Sequence, residues 1–157
     1  MTTPEPPALR KTASVRSDPA AAFALFTDHL DEWWPLATHS VGRGDATSVV
    51  FEHGVGGRIV ETLADGSTAV WGTVLVWDPP ARVRFTWHPG TREDEATEVE
   101  VSFSASPEGT RVELVHTGWA RRPDGGAARG SYDTGWDHVL GRFAALGHGT
   151  LTPTSPT

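Results

Sequence analysis

Cysteine is absent from the 157 residues of this chain. Its absence excludes disulfide bonds, zinc sites with thiolate ligands and a cysteine nucleophile. Long apolar runs are absent as well, since no segment approaches the roughly 18 residues that a membrane-spanning helix needs. The N-terminal residues 1–7 contain no basic region followed by an apolar one, so they do not resemble a signal peptide. We therefore expect a soluble, cytoplasmic protein.

Basic residues are scarcer than acidic ones. The chain has 13 Lys and Arg against 20 Asp and Glu, which gives a net charge of −7. Nucleic acids and anionic membranes both require a basic surface, so we expect neither as a partner. The length is typical of one domain, which we predict over residues 8–148. Proline content and low complexity predict flexible tails at residues 1–7 and 149–157.

Hydrophobic periodicity predicts a sheet that is flanked by helices. Asp18 and Pro19 are typical of a helix start, and a second, long helix carries apolar residues from Trp136 to Leu146 and ends at Gly147 or Gly149. Seven segments between and before them are predicted strands: 9–15, 49–53, 58–63, 69–77, 82–88, 97–105 and 110–117. This order predicts the α+β class, with an antiparallel sheet of about six to seven strands and helices on one face.

The alternation within the late strands distinguishes the two faces of the sheet. Charged residues share one parity, which predicts a solvated face: Arg82, Arg84, Glu98, Glu100, Arg111 and Glu113. The opposite parity is apolar and includes Phe85, Trp87 and His116, so these side chains should face inward and His88 outward. Glu61 alternates with Ile59 and Leu63, but both orientations of that strand stay open. The orientation of residues 70–77, which are apolar at both parities, is also left open.

Tryptophan is abundant, with 7 Trp and 6 Phe against a single Tyr and a single Met. So many large rings indicate either an aromatic core or an aromatic-lined cavity. Of the adjacent Trp33 and Trp34, we expect one to be buried and the other to cover such a cavity. The 7 histidines show no spacing typical of a metal site, and no glycine-rich motif precedes a helix, so we expect neither a metal nor another cofactor.

Several short motifs occur together in a familiar order. They are Gly56-Gly57 with Glu61, Asp65-Gly66, Trp71-Gly72-Thr73-Val74, Asp78-Pro79-Pro80 with Arg82, Phe85-Thr86-Trp87, the run from Leu114 to Trp119, and Gly135-Trp136. Over roughly residues 8–147 this pattern resembles the SRPBCC superfamily, also called START or Bet v 1-like. Within it, the pattern is most similar to the bacterial homologues of the heat-shock-protein-90 ATPase activator.

The resemblance implies a helix-grip fold, in which a curved sheet wraps a long C-terminal helix around a hydrophobic cavity. Members bind lipids, polyketides or hormones, and some are cyclases, aromatases or hydrolases. We therefore expect binding of a hydrophobic or aromatic small molecule. A cofactor-free cyclase-like or hydrolase enzyme is the alternative, and a chaperone-activating interaction is a further one. A homodimer is compatible with the sequence.

The resemblance favours a cavity as the location of the inward aromatic residues. The candidate ligand-binding residues are Trp33, Trp71, Phe85, Trp87, Phe103, His116, Trp119 and Trp136. If the protein is an enzyme, His116 and Glu61 are the candidate acid–base groups. For His116 a second interpretation stays open, namely a core histidine bonded to a backbone carbonyl. Arg121 and Arg122 are expected in a solvated loop or, alternatively, at a cavity mouth that receives an anionic group.

Overall fold

The computed structural model describes residues 6–152, which form an eight-stranded antiparallel sheet and three α-helices. The strands are β1 (Leu9–Val15), β2 (Ala46–Phe51), β3 (Arg58–Leu63), β4 (Thr68–Asp78), β5 (Arg82–Trp87), β6 (Thr97–Ser106), β7 (Gly109–Thr117) and β8 (Thr150–Leu151), and the helices are α1 (Pro19–Asp28), α2 (Leu30–Trp33) and α3 (Gly125–Leu146). The order across the sheet is β2-β3-β4-β5-β6-β7-β1-β8. The predicted α+β helix-grip fold is confirmed, with eight strands instead of six or seven.

The additional strand, β8, lies in a segment for which we predicted a flexible tail. Thr150 pairs with Ser14 and Leu151 with Ala13, so the chain returns to the edge of the sheet after α3. Gly149 allows this return, since a Cβ there would lie 1.7 Å from the Ser14 carbonyl oxygen. Composition suggested a tail because a two-residue edge strand leaves no periodicity. Residues 1–5 and 153–157 of the two predicted tails lie outside the described residues.

Local sequence signals mark the start of α1 and the end of α3. Asp18 caps α1 by accepting a hydrogen bond from the Ala21 amide at 2.8 Å, and α3 ends at Gly147. The start of α3 was not predicted, because residues 125–135 are rich in glycine and show no apolar period. Leu146, which the helical spacing placed on the apolar face, is 44% exposed.

The two faces of the late strands are as the alternation predicted. On the outer face Arg84 pairs with Glu98 at 2.8 Å and Arg82 with Glu100 at 3.4 Å. The inner face buries Phe85 and Trp87 against the helices. The outward prediction for His88 was wrong, since this residue is buried. The strand β5 ends at Trp87, so the alternation no longer applies to the next residue.

Contacts between α3 and the inner face of the sheet position the site. Trp136 of α3 lies against Trp87 of β5 with ring centroids 5.6 Å apart, and Phe143 packs against Phe26 of α1 at 5.6 Å. Within residues 6–152, no helix combines the length and the apolar character needed to cross a membrane. The aromatic contacts leave the middle of α3, around Trp136, beside an open space.

Candidate functional site

A cavity of about 460 Å³ lies between α3, the end of β5 and the α2–β2 segment, which we define as residues 34–45. Its walls carry three indole rings, those of Trp34, Trp87 and Trp136. The remaining lining residues are Thr38, His39, Ser40, Val41, Arg43, Pro89, Gly90, Tyr132, Gly135 and Val139. The volume is typical of a small-molecule site, and the walls combine flat apolar rings with several polar side chains.

Glu61 anchors the segment that covers this cavity. Its side chain is 0% exposed, so the orientation left open by the sequence is inward. Oε1 accepts hydrogen bonds from the Val41 amide and from the indole N–H of Trp71, both at 2.8 Å, and Oε2 accepts one from the Gly42 amide at 2.7 Å. Glu61 itself does not line the cavity. The carboxylate therefore holds two consecutive amides of the α2–β2 segment in place.

His116 supports the opposite wall. It is 0% exposed, and its Nδ1 accepts a hydrogen bond from the indole N–H of Trp136 at 3.0 Å. The ring proton is therefore assigned to Nε2, which donates to the Thr97 hydroxyl at 2.6 Å. That hydroxyl in turn donates to the Trp87 carbonyl oxygen at 3.1 Å. One chain of hydrogen bonds thus joins the two indole-bearing walls.

The imidazole ring of His116 is neutral. Burial lowers the pKa of His116 to about 3, and the charge of Arg122 adds to the effect. Neither interpretation from the sequence describes it fully, since its ring partners are side chains instead of a backbone carbonyl. With both ring nitrogens engaged, it is suited to fixing the position of Trp136.

The structure does not bring the two candidate acid–base groups together. Glu61 is on β3 and His116 on β7, with three strands between them in the sheet. Neither side chain lines the cavity. They therefore do not form an acid–base pair around a common ligand.

The candidate ligand-binding residues are distributed between the cavity and the core. Trp87 and Trp136 line the cavity. The others are buried and do not line it: Trp33, Trp71, Phe85, Phe103, His116 and Trp119. Both Trp33 and Trp34 are buried, and Trp34 is the one at the cavity. Sequence reasoning missed Tyr132, His39 and Gly135, although a single tyrosine in an aromatic-rich chain was a signal that could have been followed.

The indole N–H groups at the cavity differ in whether they have a hydrogen-bond partner in the protein. Those of Trp34 and Trp136, at the cavity, donate to the His39 carbonyl oxygen and to His116. Trp87 is 3% exposed, yet within the described residues its N–H has no hydrogen-bond partner. A buried donor without an acceptor costs about 1–3 kcal/mol of stability. Such a cost commonly marks a place that a ligand or an ordered water occupies.

Tyr132 of α3 lies next to this free donor. Burial raises the pKa of the Tyr132 phenol, while a distorted hydrogen-bonding contact with Trp87, followed by the charge of Arg122, offsets part of the rise. The Trp87 N–H is thus close enough to affect the phenol without making a hydrogen bond of normal geometry to it. The site therefore contains two hydrogen-bonding groups side by side, at one end of the aromatic wall.

The two arginines of the predicted loop have different environments. Arg121 is exposed and pairs with Glu98 at 2.7 Å. Arg122 is largely buried and binds Asp124 through two hydrogen bonds of 2.8 and 3.0 Å. This pairing with Asp124 raises the pKa of Arg122. Arg122 does not line the cavity, but it places a positive charge behind Tyr132.

The mouth of the cavity carries a pair of imidazole rings. His39 of the α2–β2 segment stacks on His138 of α3, with centroids 5.1 Å apart. Burial, followed by the proximity of His138, lowers the pKa of His39. Within residues 6–152, no group of three or more potential ligand side chains could hold a metal ion. The stacked rings form a direct contact between the α2–β2 segment and α3.

Comparison with protein families identifies the chain. The model of the family described as "Activator of Hsp90 ATPase homolog 1-like protein" (AHSA1) matches residues 16–147. The chain belongs to the AHSA1-like family. This AHSA1-like protein also fits the wider SRPBCC superfamily, as the motifs predicted.

The solved structures similar to this chain include a synthase and another AHSA1-like protein. The AHSA1-like chain is 35% identical to Txn09, described as an anthrahydroquino-Gama-pyrone synthase, over 90% of this chain and 97% of that one, with a TM-score of 0.64. An AHSA1-like protein from Aeromonas hydrophila is 21% identical over 88% and 90% of the two chains, with a TM-score of 0.61. A comparison with curated protein sequences found no match.

A third relative is longer than this protein. DynU16, described as a putative protein in the dynemicin biosynthetic locus, is 17% identical, with a TM-score of 0.66. The match covers 88% of the AHSA1-like chain and 46% of DynU16. At this identity the similarity shows the shared fold alone. The family and the 35% identity with Txn09 together support a ligand-binding SRPBCC domain.

Proposed function

We propose that this AHSA1-like protein binds a planar, aromatic small molecule of the polyketide type in the cavity beside α3. The observation that carries the proposal is the 460 Å³ space walled by three indole rings. Flat apolar walls favour flat apolar ligands, because such ligands displace the most water from indole surfaces while stacking on them.

Two further features support a bound molecule of this kind. Within residues 6–152, the buried indole N–H of Trp87 has no acceptor of normal geometry, so an oxygen-bearing ligand would satisfy it. Txn09, which is 35% identical, is described as a synthase of an anthrahydroquinone γ-pyrone, a fused aromatic compound. The acidic net charge of −7 is compatible with an uncharged ligand.

The structure offers a way to close the cavity without disturbing the fold. Gly135 of α3 lines the cavity, and a Cβ added there meets no atom within 4 Å. A leucine at this position would extend into the space that the ligand needs. Because glycine is unfavourable inside a helix, Gly135→Leu should not destabilise α3.

The test is a titration with emodin, a hydroxylated anthraquinone, followed by quenching of tryptophan fluorescence. We expect saturable quenching of the wild-type protein and at least about tenfold weaker binding by Gly135→Leu, because the blocked volume removes contacts with the ring system. The matched control is Gly130→Leu, an exposed position on the same helix that also has open space. Absence of saturable binding to wild-type protein, or equal binding by both variants, would contradict the proposal.

An enzymatic function is the second candidate, favoured by the identity with a synthase over 90% of this chain. Since Glu61 and His116 have their polar atoms engaged by protein groups, proton transfer in the cavity would rest on Tyr132 or His39. The test is incubation of stoichiometric protein with precursors of hydroxylated anthraquinones. The mixture is then analysed by mass spectrometry. Unchanged precursors after prolonged incubation would exclude turnover of that class.

A further inference from the structure

We propose that the indole N–H of Trp87 and the phenol of Tyr132 form a recognition pair for one carbonyl or phenolic oxygen of the ligand. The inference rests on the proposed binding function and deepens it, because it assigns the polar end of the ligand to one end of the cavity. It also assigns the specificity for oxygenated over plain aromatic rings to two named side chains.

The buried tryptophans differ in whether the protein supplies an acceptor for their indole N–H groups. Six are buried: Trp33, Trp34, Trp71, Trp87, Trp119 and Trp136. Five of them donate their N–H to protein acceptors, which are Leu25 O, His39 O, Glu61 Oε1, His116 O and His116 Nδ1. Within residues 6–152, Trp87 alone among the six has an N–H without a partner. Its ring lines the cavity, so the acceptor that it lacks would come from a molecule in that space.

The phenol of Tyr132 lies beside the indole N–H of Trp87. Tyr132 precedes Trp136 by four residues on α3, so both side chains lie on one helix face. Their rings are nearly parallel, at an interplanar angle of 29° and a centroid distance of 6.3 Å. The phenol lies close to the Trp87 N–H and also lines the cavity. A ligand oxygen within reach of both groups would accept from both, since a phenol donates as readily as an indole.

Arg122 places a positive charge close to the pair formed by Trp87 and Tyr132. Arg122, held by Asp124, lies near the Tyr132 hydroxyl and lowers the energy of negative charge there. Its charge therefore favours a ligand oxygen with partial negative character, as in a ketone or an acidic phenol. The other cavity indoles, Trp34 and Trp136, have their N–H groups engaged and offer ring surface only. Among the three cavity indoles, Trp87 is therefore the one whose N–H is available to a ligand oxygen.

The experiment compares two ligands of the same outline, anthraquinone and anthracene, by quenching of tryptophan fluorescence. Wild-type protein should bind anthraquinone more tightly than anthracene. Tyr132→Phe should weaken anthraquinone binding about five- to tenfold, because one hydrogen bond to the carbonyl is lost, and should change anthracene binding less than about twofold. Trp87→Phe, which removes the N–H, should likewise reduce the preference for anthraquinone.

The control variant is Ser131→Ala, which removes an exposed hydroxyl from the same helix at a position that does not line the cavity. It should leave the preference for anthraquinone unchanged. An equal loss for both ligands in Tyr132→Phe would show a packing role and overturn the recognition pair, as would a wild-type protein without preference. If wild-type protein binds neither ligand, the proposed function fails together with the pair.

Discussion

Single residues in this protein acquire their roles from their hydrogen-bond partners. His116 has the residue type of an acid–base catalyst, but Trp136 donates to one ring nitrogen and Thr97 accepts from the other. Burial then keeps the ring neutral, with a pKa of about 3. The consequence is a rigid support for one cavity wall, which the parity of a strand could not distinguish from a catalytic group.

Protonation of His116 should destabilise the fold. In the unfolded chain its pKa is about 6.5 and in the folded protein about 3, so acid favours the unfolded state. Its contribution is fully present above pH 6.5 and is lost as the pH falls towards 3, by up to about 1.4 kcal/mol per pH unit. Urea denaturation at several pH values should therefore show a shallower pH dependence for His116→Gln than for wild type.

Subtraction of the two profiles removes the other titrating groups, because they are common to both proteins. Glutamine can accept from Trp136 and donate to Thr97, so the variant should fold. Identical slopes for the two proteins between pH 6.5 and 3 would show that the burial of His116 has no effect on stability in acid.

At the scale of elements, the α2–β2 segment depends on one strand residue. Two amides of the segment donate to the Glu61 carboxylate of β3, and Trp71 of β4 donates to the same group. The segment supplies one side of the cavity, while α3 supplies another. Loss of this anchor would therefore affect the site from a residue that does not line it.

Glu61→Gln should loosen this segment and destabilise the protein by about 1–3 kcal/mol, because one amide oxygen cannot satisfy three N–H donors. Hydrogen exchange should become faster at the amides of Val41 and Gly42, and urea denaturation should report the loss of stability. Glu52→Gln is the matched control, since the Glu52 carboxylate accepts from the Arg58 amide at an exposed position. Equal exchange at both amides in Glu61→Gln and wild type would refute the anchoring role.

At the scale of the whole molecule, β1 and α3 are joined by a buried lysine. Lys11 of β1 faces the interior, where it forms ion pairs with Asp133 and with Asp137, the latter at 2.8 Å. Burial lowers the pKa of Lys11, but the two carboxylates raise it more, so the net direction is upward. The pairs fasten the N-terminal strand to the helix that carries Tyr132 and Trp136.

Lys11→Met should cost about 1 kcal/mol, because the methionine fills the stem volume and the half-exposed carboxylates can regain water. Lys11→Ala should cost about 2–4 kcal/mol, since it leaves a cavity as well. Chemical denaturation of both variants separates packing from charge. Equal losses in the two variants would assign the whole effect to the ion pairs.

The prediction of the fold succeeded wherever a local pattern carried the information. Alternation revealed the late strands and the inward direction of Trp87 and His116, and Asp18 marked the start of α1. It failed at β8, at the glycine-rich start of α3 and at His88, where the structure depends on contacts between distant segments. For the site, the residue types at Trp87 and Trp136 were identified from the sequence, but Tyr132 and the α2–β2 segment were not.

The sequence by itself indicated the family through the order of its motifs. It also determined the α+β class and the two faces of the sheet, because these depend on periodicities of two and about four residues. Only the tertiary structure decided which aromatic rings border open space and which fill the core. It also decided that Glu61 and His116 support the walls and that, in the part of the chain that the structure describes, the Trp87 N–H is left without a partner. The physical reason is that hydrogen-bond satisfaction and residual volume are properties of packed neighbours, and these neighbours are far apart along the chain.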